Sequence, residues 1–198
     1  MSMNRDIKKF IEKYQQRLFP EIEKYIINKS ILDVGCGNGL NSFFFNKKFG
    51  SKVTLLDIED IRNKEVTSFP FFEASLEKIP FKSKSFEVVF LQYVLHHLST
   101  KINIKEILME LKRVGKIVII VEEIITKKTD IQKAKEYDSK INKILHPSSN
   151  FVNIYEYYSD NELKILFHKT NLNVIEEKML EKGCEKDGFL QRKMYILH

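Results

Sequence analysis

The sequence predicts an α/β fold, in which helices alternate with the strands of a mostly parallel sheet. Short runs of β-branched and other apolar residues recur along the chain, and stretches with apolar residues at helical spacing separate them. The first run turns through three glycines into the next helix, a bend typical of such sheets. The 198 residues are enough for one substantial core, so we expect residues 1–198 to form a single domain.

The first 28 residues predict an N-terminal helical segment. Apolar residues recur at helical spacing from Ile7 to Ile26, and Pro20 interrupts the pattern. We therefore expect residues 1–28 to form one or two amphipathic helices, broken near Pro20, that lie across the top of the domain.

A glycine-rich bend follows the first strand. It reads Ile31-Leu32-Asp33-Val34-Gly35-Cys36-Gly37-Asn38-Gly39, an apolar run that stops at an acid. Glycines leave no Cβ atoms in the bend, so the backbone can take positive φ and a ligand can lie against it. We expect Asn38 to cap a helix that begins around Leu40.

The spacing of this bend separates two classes of ligand. A dinucleotide site has the pattern G-x-G-x-x-G, whereas here position 40 is leucine and the pattern is D-x-G-x-G-x-G. An acid in front of the loop would repel a pyrophosphate but would attract an ammonium group. The bend therefore favours a ligand with a positively charged part.

The second strand ends at another acid, Asp57. The run Val53–Ile58 is short and β-branched, and the preceding Gly50 is suited to end a helix. Asp57 follows Gly35 by 22 positions, close to the spacing at which an acid reaches a ribose diol. A carboxylate can accept from both hydroxyls, so Asp57 indicates that a nucleoside binds.

The remaining elements follow from the same patterns. A polar, helical stretch at 124–158 ends in an aromatic cluster, and we interpret it as an insertion on the substrate side that forms a partial lid. The further strands are expected at 69–75, 86–91, 116–123, 173–180 and 189–197, and the further helices at 105–114 and 159–171.

Together these motifs resemble the class I S-adenosylmethionine-dependent methyltransferases. The glycine bend is similar to the family's loop, residues 75–89 resemble its D-A-x-x-L-P-F-x-x-x-S-F-D-V-V run, and Leu95-His96-His97-Leu98 its L-H-H-L. The resemblance covers residues 30–123 by motif and the rest by the order of elements. It implies a Rossmann-like, seven-stranded mixed sheet, mostly parallel with the last strand antiparallel, and helices on both faces.

The resemblance also implies S-adenosylmethionine as cofactor. Asp33 then corresponds to the acid near the methionine moiety. Ser75 and Leu76 take the adenine-binding positions, where the family has Asp and Ala, so adenine recognition is expected to be weaker. The cofactor-binding residues implied are Asp33, Gly35, Cys36, Gly37, Gly39, Asp57, Ile58, Ser75, Leu76, Gln92, Tyr93 and His97.

The catalytic residues stay open. A methyl sulfonium is already a good electrophile, so the protein mainly has to hold an acceptor in line with it, and a base is needed only if the acceptor must lose a proton. By location in the chain, the candidate bases are Tyr93, His96, His97 and Glu123.

Composition narrows the partners. The formal charge is +6, but lysines interleave with glutamates throughout, so nucleic acid is possible without being favoured. Two cysteines and five histidines form no metal motif, so no metal is expected. No signal peptide or membrane span is evident, which predicts a cytoplasmic protein. The oligomeric state is left open.

Four functions remain in competition. The leading one is methyl transfer to a small molecule. A nucleic-acid methyltransferase is second, although the segment from Gln92 lacks an N-P-P-Y motif and no Pro-Cys pair is present. A nicotinamide dehydrogenase is disfavoured by Leu40. A non-catalytic subunit that binds the cofactor stays open because of Ser75.

Overall fold

The computed structural model describes residues 5–98, 104–145, 156–181 and 190–198. Helices and strands alternate along these residues, as predicted. The helices are α1 (Arg5–Ile26), α2 (Leu40–Phe49), α3 (Ile104–Val114), α4 (Ile131–Leu145) and α5 (Asp160–Lys169). The strands are β1 (Ser30–Val34), β2 (Lys52–Asp57), β3 (Phe71–Glu73), β4 (Phe86–Gln92), β5 (Gly115–Ile124), β6 (Val174–Glu181) and β7 (Gln191–Leu197).

The strands form one seven-stranded mixed sheet in the order β3-β2-β1-β4-β5-β7-β6. Strands β1 to β5 are parallel. The last strand, β7, is antiparallel to both of its neighbours, β5 and β6. The predicted topology, mostly parallel with the last strand reversed, is confirmed.

Both faces of the sheet are covered by helices, because alternate residues of the inner strands point to opposite sides. Leu32 and Val89 belong to the core on one face, where α3 and α5 pack. Ile31 and Phe90 belong to the core on the other face, where α1 and α2 pack. Such double burial explains why the inner strands are apolar without interruption.

Helix α1 differs from its prediction. It continues through Pro20 as one helix, and its buried residues Leu18, Ile22 and Ile26 pack on the sheet face beside α2 rather than across the top of the domain. Proline costs one backbone hydrogen bond in a helix. Burial of the flanking apolar side chains outweighs that loss, while the ring of Pro20 itself is exposed.

Most helix ends follow the sequence signals. Gly50 has φ 66° after α2, Ser159 and Glu162 form a capping box before α5, and Asn171 has φ 55° after α5. The prediction for Asn38 was wrong in detail, since Gly39 occupies the cap position. The side-chain oxygen of Asn38 instead accepts from the amide of Leu40 at 3.1 Å.

Two predicted segments are only partly described. Of the lid segment 124–158, residues 146–155 lie outside the described residues, and so does the link at 182–189 between the two closing strands. Strand β3 is shorter than predicted because Pro70 has no amide hydrogen with which to extend the ladder.

Candidate functional site

The site lies beyond the carboxyl ends of β1, β2 and β4. Strand β1 is paired with β2 on one side and with β4 on the other, so the chain order reverses there. In open parallel sheets this reversal leaves a crevice in which ligands bind. The loops that follow these strands carry most of the predicted site residues.

The loop after β1 is held open by its glycines. Gly35, Gly37 and Gly39 have φ of 65°, 52° and 76°, in the left-handed region that other residues rarely adopt. A Cβ on Gly35 would lie 2.5 Å from Val94 Cγ2, and one on Gly39 would lie 2.5 Å from Val66 Cγ2. The loop therefore needs glycine for its backbone and for its close packing.

Asp57 joins the second strand to this loop. Its Oδ2 accepts from the amide of Gly37 at 2.7 Å, and its Oδ1 accepts from the amide of Ile58 at 2.7 Å. Burial raises the pKa of Asp57, and hydrogen bonds from backbone amides, those of Gly37 and Ile58 among them, oppose that rise. Each carboxylate oxygen has a second lone pair, so Asp57 can still accept from the two hydroxyls of a sugar.

The residues predicted to bind a nucleobase differ in how exposed their side chains are. Ile58 follows Asp57 and is 47% exposed, which gives an apolar surface beside the carboxylate. The exposed Ser75 accepts from the amide of Glu77 at 3.3 Å. The side chain of Leu76 is buried in the core, so only its backbone is available to a ligand.

The acid before the loop is less accessible than the sequence suggested. Asp33 is 3% exposed, and its carboxylate accepts from the hydroxyl of Ser42 at 2.5 Å. Burial raises its pKa to about 7, although the Ser42 hydrogen bond works against the rise. Burial also raises the pKa of the neighbouring Cys36 thiol far above its usual value.

The segment after β4 links this loop to β5. The Oε1 of Gln92 accepts from the side-chain amide of Asn41 at 2.8 Å. Tyr93 has φ 54°, and its amide donates to the carbonyl of Val121 at 2.9 Å. The side chain of Val94 fills the space where a Cβ of Gly35 would lie, so the loop and this segment are closely packed.

His96 lies deeper, among carboxylates. It is 2% exposed, and its Nδ1 contacts the carboxylate of Glu122 on β5. Burial alone would lower its pKa, but the charges of Glu122, Asp138 and Glu123 outweigh that and raise it to about 9. His96 is therefore protonated near neutrality, which makes it a poor base. The ring of His97 lies 4.1 Å from that of His96.

Glu123 forms a buried ion pair. Its Oε1 accepts from Nε of Arg192 on β7 at 3.0 Å, and both side chains are 5% exposed. Burial and the charge of Asp138 raise the pKa of Glu123, and Arg192 opposes the rise. The guanidinium of Arg192 also lies 5.4 Å from the centre of the Tyr93 ring.

Sequence reasoning missed Glu122, Asp138 and Arg192, whereas Tyr157 belongs to the aromatic cluster of the predicted partial lid. A signal was present, because Glu122 and Arg192 are charged residues next to apolar strand runs, where a charge has to find a buried partner. Among the described residues, no group of three or more potential ligands is arranged to hold a metal. Nor is any helix of these residues long and apolar enough to cross a membrane.

Comparison with known proteins connects this geometry to a family. Residues 32–119 match a family described as a methyltransferase domain. The matched part includes the loop after β1, the acid that ends β2 and the segment after β4. No curated protein sequence gives a significant match.

Several solved structures have the same fold. An S-adenosylmethionine-dependent methyltransferase from Methanosarcina mazei is 20% identical, with a TM-score of 0.69 over 91% of this chain and 97% of that one. The Burkholderia thailandensis 1,6-didemethyltoxoflavin N1-methyltransferase, which has S-adenosylhomocysteine bound, is 12% identical, with a TM-score of 0.69 over 98% and 80%. The Streptomyces coelicolor geranyl diphosphate C-methyltransferase is 13% identical, with a TM-score of 0.63 over 92% and 74%.

The mixed sheet, with its glycine loop and its acid at the end of β2, is typical of Rossmann-like nucleoside-binding proteins. With the match over residues 32–119, the chain is similar to the class I S-adenosylmethionine-dependent methyltransferases in its central residues and in its fold. Two of the similar structures have S-adenosylhomocysteine, the demethylated form of S-adenosylmethionine, bound. The site fits this molecule, because an acid for a sugar diol and an apolar surface for a base lie beside a loop without Cβ atoms.

Proposed function

We propose that this enzyme transfers the methyl group of S-adenosylmethionine to a small-molecule acceptor. The observation that carries the proposal is the pair of backbone hydrogen bonds that ties residues 156–158 to the segment after β4 and to the end of β5. The amide of Glu156 donates to the carbonyl of His96 at 2.8 Å, and the amide of Ile125 donates to the carbonyl of Tyr158 at 3.0 Å. A site bordered in this way suits a compact acceptor better than a polymer.

Two similar structures support an acceptor of this size. The Burkholderia thailandensis enzyme has 1,6-didemethyltoxoflavin bound, and the Streptomyces coelicolor enzyme has geranyl-S-thiolodiphosphate bound. These acceptors differ from each other in chemistry. They therefore support a small acceptor for this chain but do not indicate its chemical structure.

In this proposal, the cofactor lies along the loops described above. The glycine loop and Asp33 face its amino-acid part, and Asp57 accepts from its ribose hydroxyls beside Ile58. The backbone after β3, at Ser75 and Leu76, meets the adenine, and Gln92, Tyr93 and His97 lie near the reactive methyl. When bound, the cofactor supplies an electrophilic methyl group. The protein has to orient the acceptor and exclude water.

A dedicated base is not required by this chemistry. If the acceptor must lose a proton, Tyr93, His97 and Glu123 are the candidates that we retain. Glu123 is the best of them by acidity, because its raised pKa brings it nearer to the pH at which a base is most effective. His96 is the least suitable, since its neighbours keep it protonated.

The first test is calorimetry with S-adenosylhomocysteine, comparing wild type with Asp57→Ala. We expect the variant to bind more than tenfold more weakly, because a charge-assisted hydrogen bond is worth about 1.5–3 kcal/mol. Asp60→Asn is the matched control. It changes an acid three positions further on, whose partner is Arg62, and should bind like wild type. Equal affinity of Asp57→Ala and wild type would contradict the ribose role.

The second test addresses the acceptor. Cell extract is split into a small-molecule filtrate and an RNA fraction, and each is incubated with enzyme and radiolabelled S-adenosylmethionine. Label in the filtrate supports the proposal, and label in RNA would replace it with a nucleic-acid methyltransferase. Donor binding without transfer to either fraction would favour a non-catalytic subunit.

A further inference from the structure

A buried group of charged residues lies beside the proposed site and is not needed to bind the cofactor. We call it the charge cluster: His96, Glu122, Glu123, Asp138 and Arg192. All five side chains are buried. They come from four separate parts of the chain, namely the segment after β4, strand β5, helix α4 and strand β7.

His96 is where these parts meet. Its Nδ1 contacts Glu122 on β5, and its Nε2 lies 3.9 Å from Oδ2 of Asp138 on α4. Its ring stacks on that of Tyr157, with centres 5.3 Å apart and planes at 15°. The hydroxyl of Tyr157 in turn donates to Asp138. One imidazole therefore holds both α4 and the segment around Tyr157.

The carboxylate that faces His96 is itself fixed. The Oε2 of Glu122 accepts from the amide of Leu95 at 2.9 Å, and its Oε1 accepts from the amide of Glu123 at 2.9 Å. Glu122 is thus anchored to the backbone on both sides of the contact. Any movement between β5 and α4 must break the His96 contacts rather than displace Glu122.

The charge balance explains why His96 needs its proton. Above the raised pKa values of Glu123 and Asp138, all groups are ionised, and three carboxylates then face Arg192 and a protonated His96, which leaves one net negative charge. Loss of the His96 proton would leave two net negative charges in a buried space, which is costly. Among the described residues, the titratable and charged groups near the ring include those of Glu122 and Glu123 on β5, Asp138 on α4, Tyr93, Tyr157, His97 and, through Glu123, Arg192.

The same network extends to the N-terminal helix. Nη1 of Arg192 lies 3.2 Å from Glu181 at the end of β6, and Glu181 is paired with Arg17 on α1. Opposite charges therefore alternate from α1 across three strands. Helix α4 is attached to this network at His96 and, through Tyr137, at Arg192, so the state of His96 contributes to how firmly α4 is held.

We propose that His96, in its protonated form, is a positioning residue that seats α4 and the segment around Tyr157 over the acceptor side of the site. The inference rests on the proposed function, which places the acceptor beyond the ends of β4 and β5. It assigns His96 neither to the cofactor nor to proton transfer. Closure of the acceptor side then depends on pH through one residue.

The direction of this dependence follows from the pKa. A histidine whose pKa is raised from 6.5 to about 9 on folding stabilises the folded form fully below 6.5. That contribution is lost as the pH rises through the folded value. We therefore expect α4 to be held firmly near neutrality and to loosen above about pH 9.

Hydrogen exchange with mass spectrometry tests this, with peptides from α4 compared with peptides from β1 and β2. In His96→Gln near neutral pH, we expect the α4 amides to exchange about tenfold faster or more than in wild type, because breaking a buried ionic contact is strongly destabilising. The strand peptides should be unchanged. In wild type, α4 should lose protection above the pKa of His96, after correction for the intrinsic rate, and the variant should show no such step.

His168→Gln is the matched control, because His168 on α5 is exposed and lies outside the cluster. It should exchange like wild type at both pH values. Equal α4 protection in folded His96→Gln and wild type would overturn the proposal. If His96→Gln does not fold, the wild-type comparison decides alone, and absence of the pH step would overturn the proposal.

A parallel measurement separates this inference from the proposed function. S-adenosylhomocysteine should still bind His96→Gln, because the cluster includes neither the glycine loop nor Asp57, and of the proposed cofactor-binding residues Tyr93 and His97 lie beside His96. Loss of binding together with normal α4 protection would assign His96 to the cofactor and reject the positioning role. Failure of wild type to bind would count against the proposed function instead.

Discussion

At the scale of single residues, Asp33 and Asp57 are both acids of the candidate site, but their surroundings favour different protonation states. Asp33 is buried and accepts from one hydroxyl, that of Ser42. Asp57 accepts from two backbone amides, which favour the ionised form. Asp57 is therefore suited to act as a charged acceptor for hydroxyl groups. Asp33 retains its proton close to neutrality.

This difference predicts how Asp33 affects stability. Burial raises its pKa from 3.8 to about 7, so the folded chain binds the proton more tightly than the unfolded chain does. The free energy of unfolding should therefore fall as the pH rises from about 4 to 7. Asp33→Asn cannot ionise. Relative to wild type, it should gain about 1–4 kcal/mol between pH 5 and pH 8, measured by urea unfolding at both values.

Asp60→Asn controls for the loss of any carboxylate. The ion pair with Arg62 lowers the pKa of Asp60, so its titration lies below the pH range of the measurement. Its difference from wild type should be the same at both pH values. A constant difference for Asp33→Asn as well would show that Asp33 is ionised throughout.

At the scale of elements, α2 has a left-handed glycine near each end, and the two serve different purposes. Gly35 belongs to the loop that enters the helix from β1, at the carboxyl end of the sheet. Gly50 has nearly the same φ, 66° against 65°, but ends the helix at the opposite edge. Substitutions at these two glycines therefore distinguish an effect of backbone strain on stability from an effect on cofactor binding.

We predict that Gly35→Ala and Gly50→Ala both reduce the free energy of unfolding, by about 1–3 kcal/mol each, because alanine is strained in this region. Only Gly35→Ala should weaken binding of S-adenosylhomocysteine, since its Cβ would press against Val94 and displace the segment after β4. Urea unfolding and calorimetry on both variants measure the two effects. Equal loss of affinity in both would reject the role of the loop after β1.

The elements themselves could largely be predicted from the sequence. Strand β5 was predicted from its unbroken run of β-branched residues, and the capping box at Ser159 marked the start of α5. The predicted helix break at Pro20 was wrong. The loss of a backbone hydrogen bond at a proline can be recognised from the sequence, whereas the burial of Leu18 and Ile22 that offsets it depends on the assembled sheet. The predicted N-cap of α2 was one position too early, because Asn and Gly are both common N-cap residues.

At the scale of the whole molecule, binding of the cofactor product should stabilise the fold. At a hundredfold excess over the dissociation constant, S-adenosylhomocysteine should add about 2.7 kcal/mol. For a chain of this length, that corresponds to a rise of about 5–10 °C in Tm. NAD at the same concentration should leave Tm unchanged, because Leu40 replaces the third glycine of a dinucleotide loop. An equal rise with NAD would revive the dehydrogenase alternative.

The candidate site was less predictable than the fold. The glycine loop and Asp57 are close in sequence to the strands that carry them, so spacing indicated their position. The contacts of His96 with Glu122 and Asp138 join residues from separate elements, and only the assembled sheet shows that they meet. A sequence pattern can indicate which charged residues are buried, but it does not show which of them contact each other.

The position of β7 bears on how the chain reaches this state. The last strand in sequence lies inside the sheet, between β5 and β6. Until residues 191–197 are synthesised, the outer edge of β5 has no neighbour and β6 has none at all. A nascent chain therefore emerges with exposed strand edges, which favour aggregation, and completes its sheet only when the final strand is inserted.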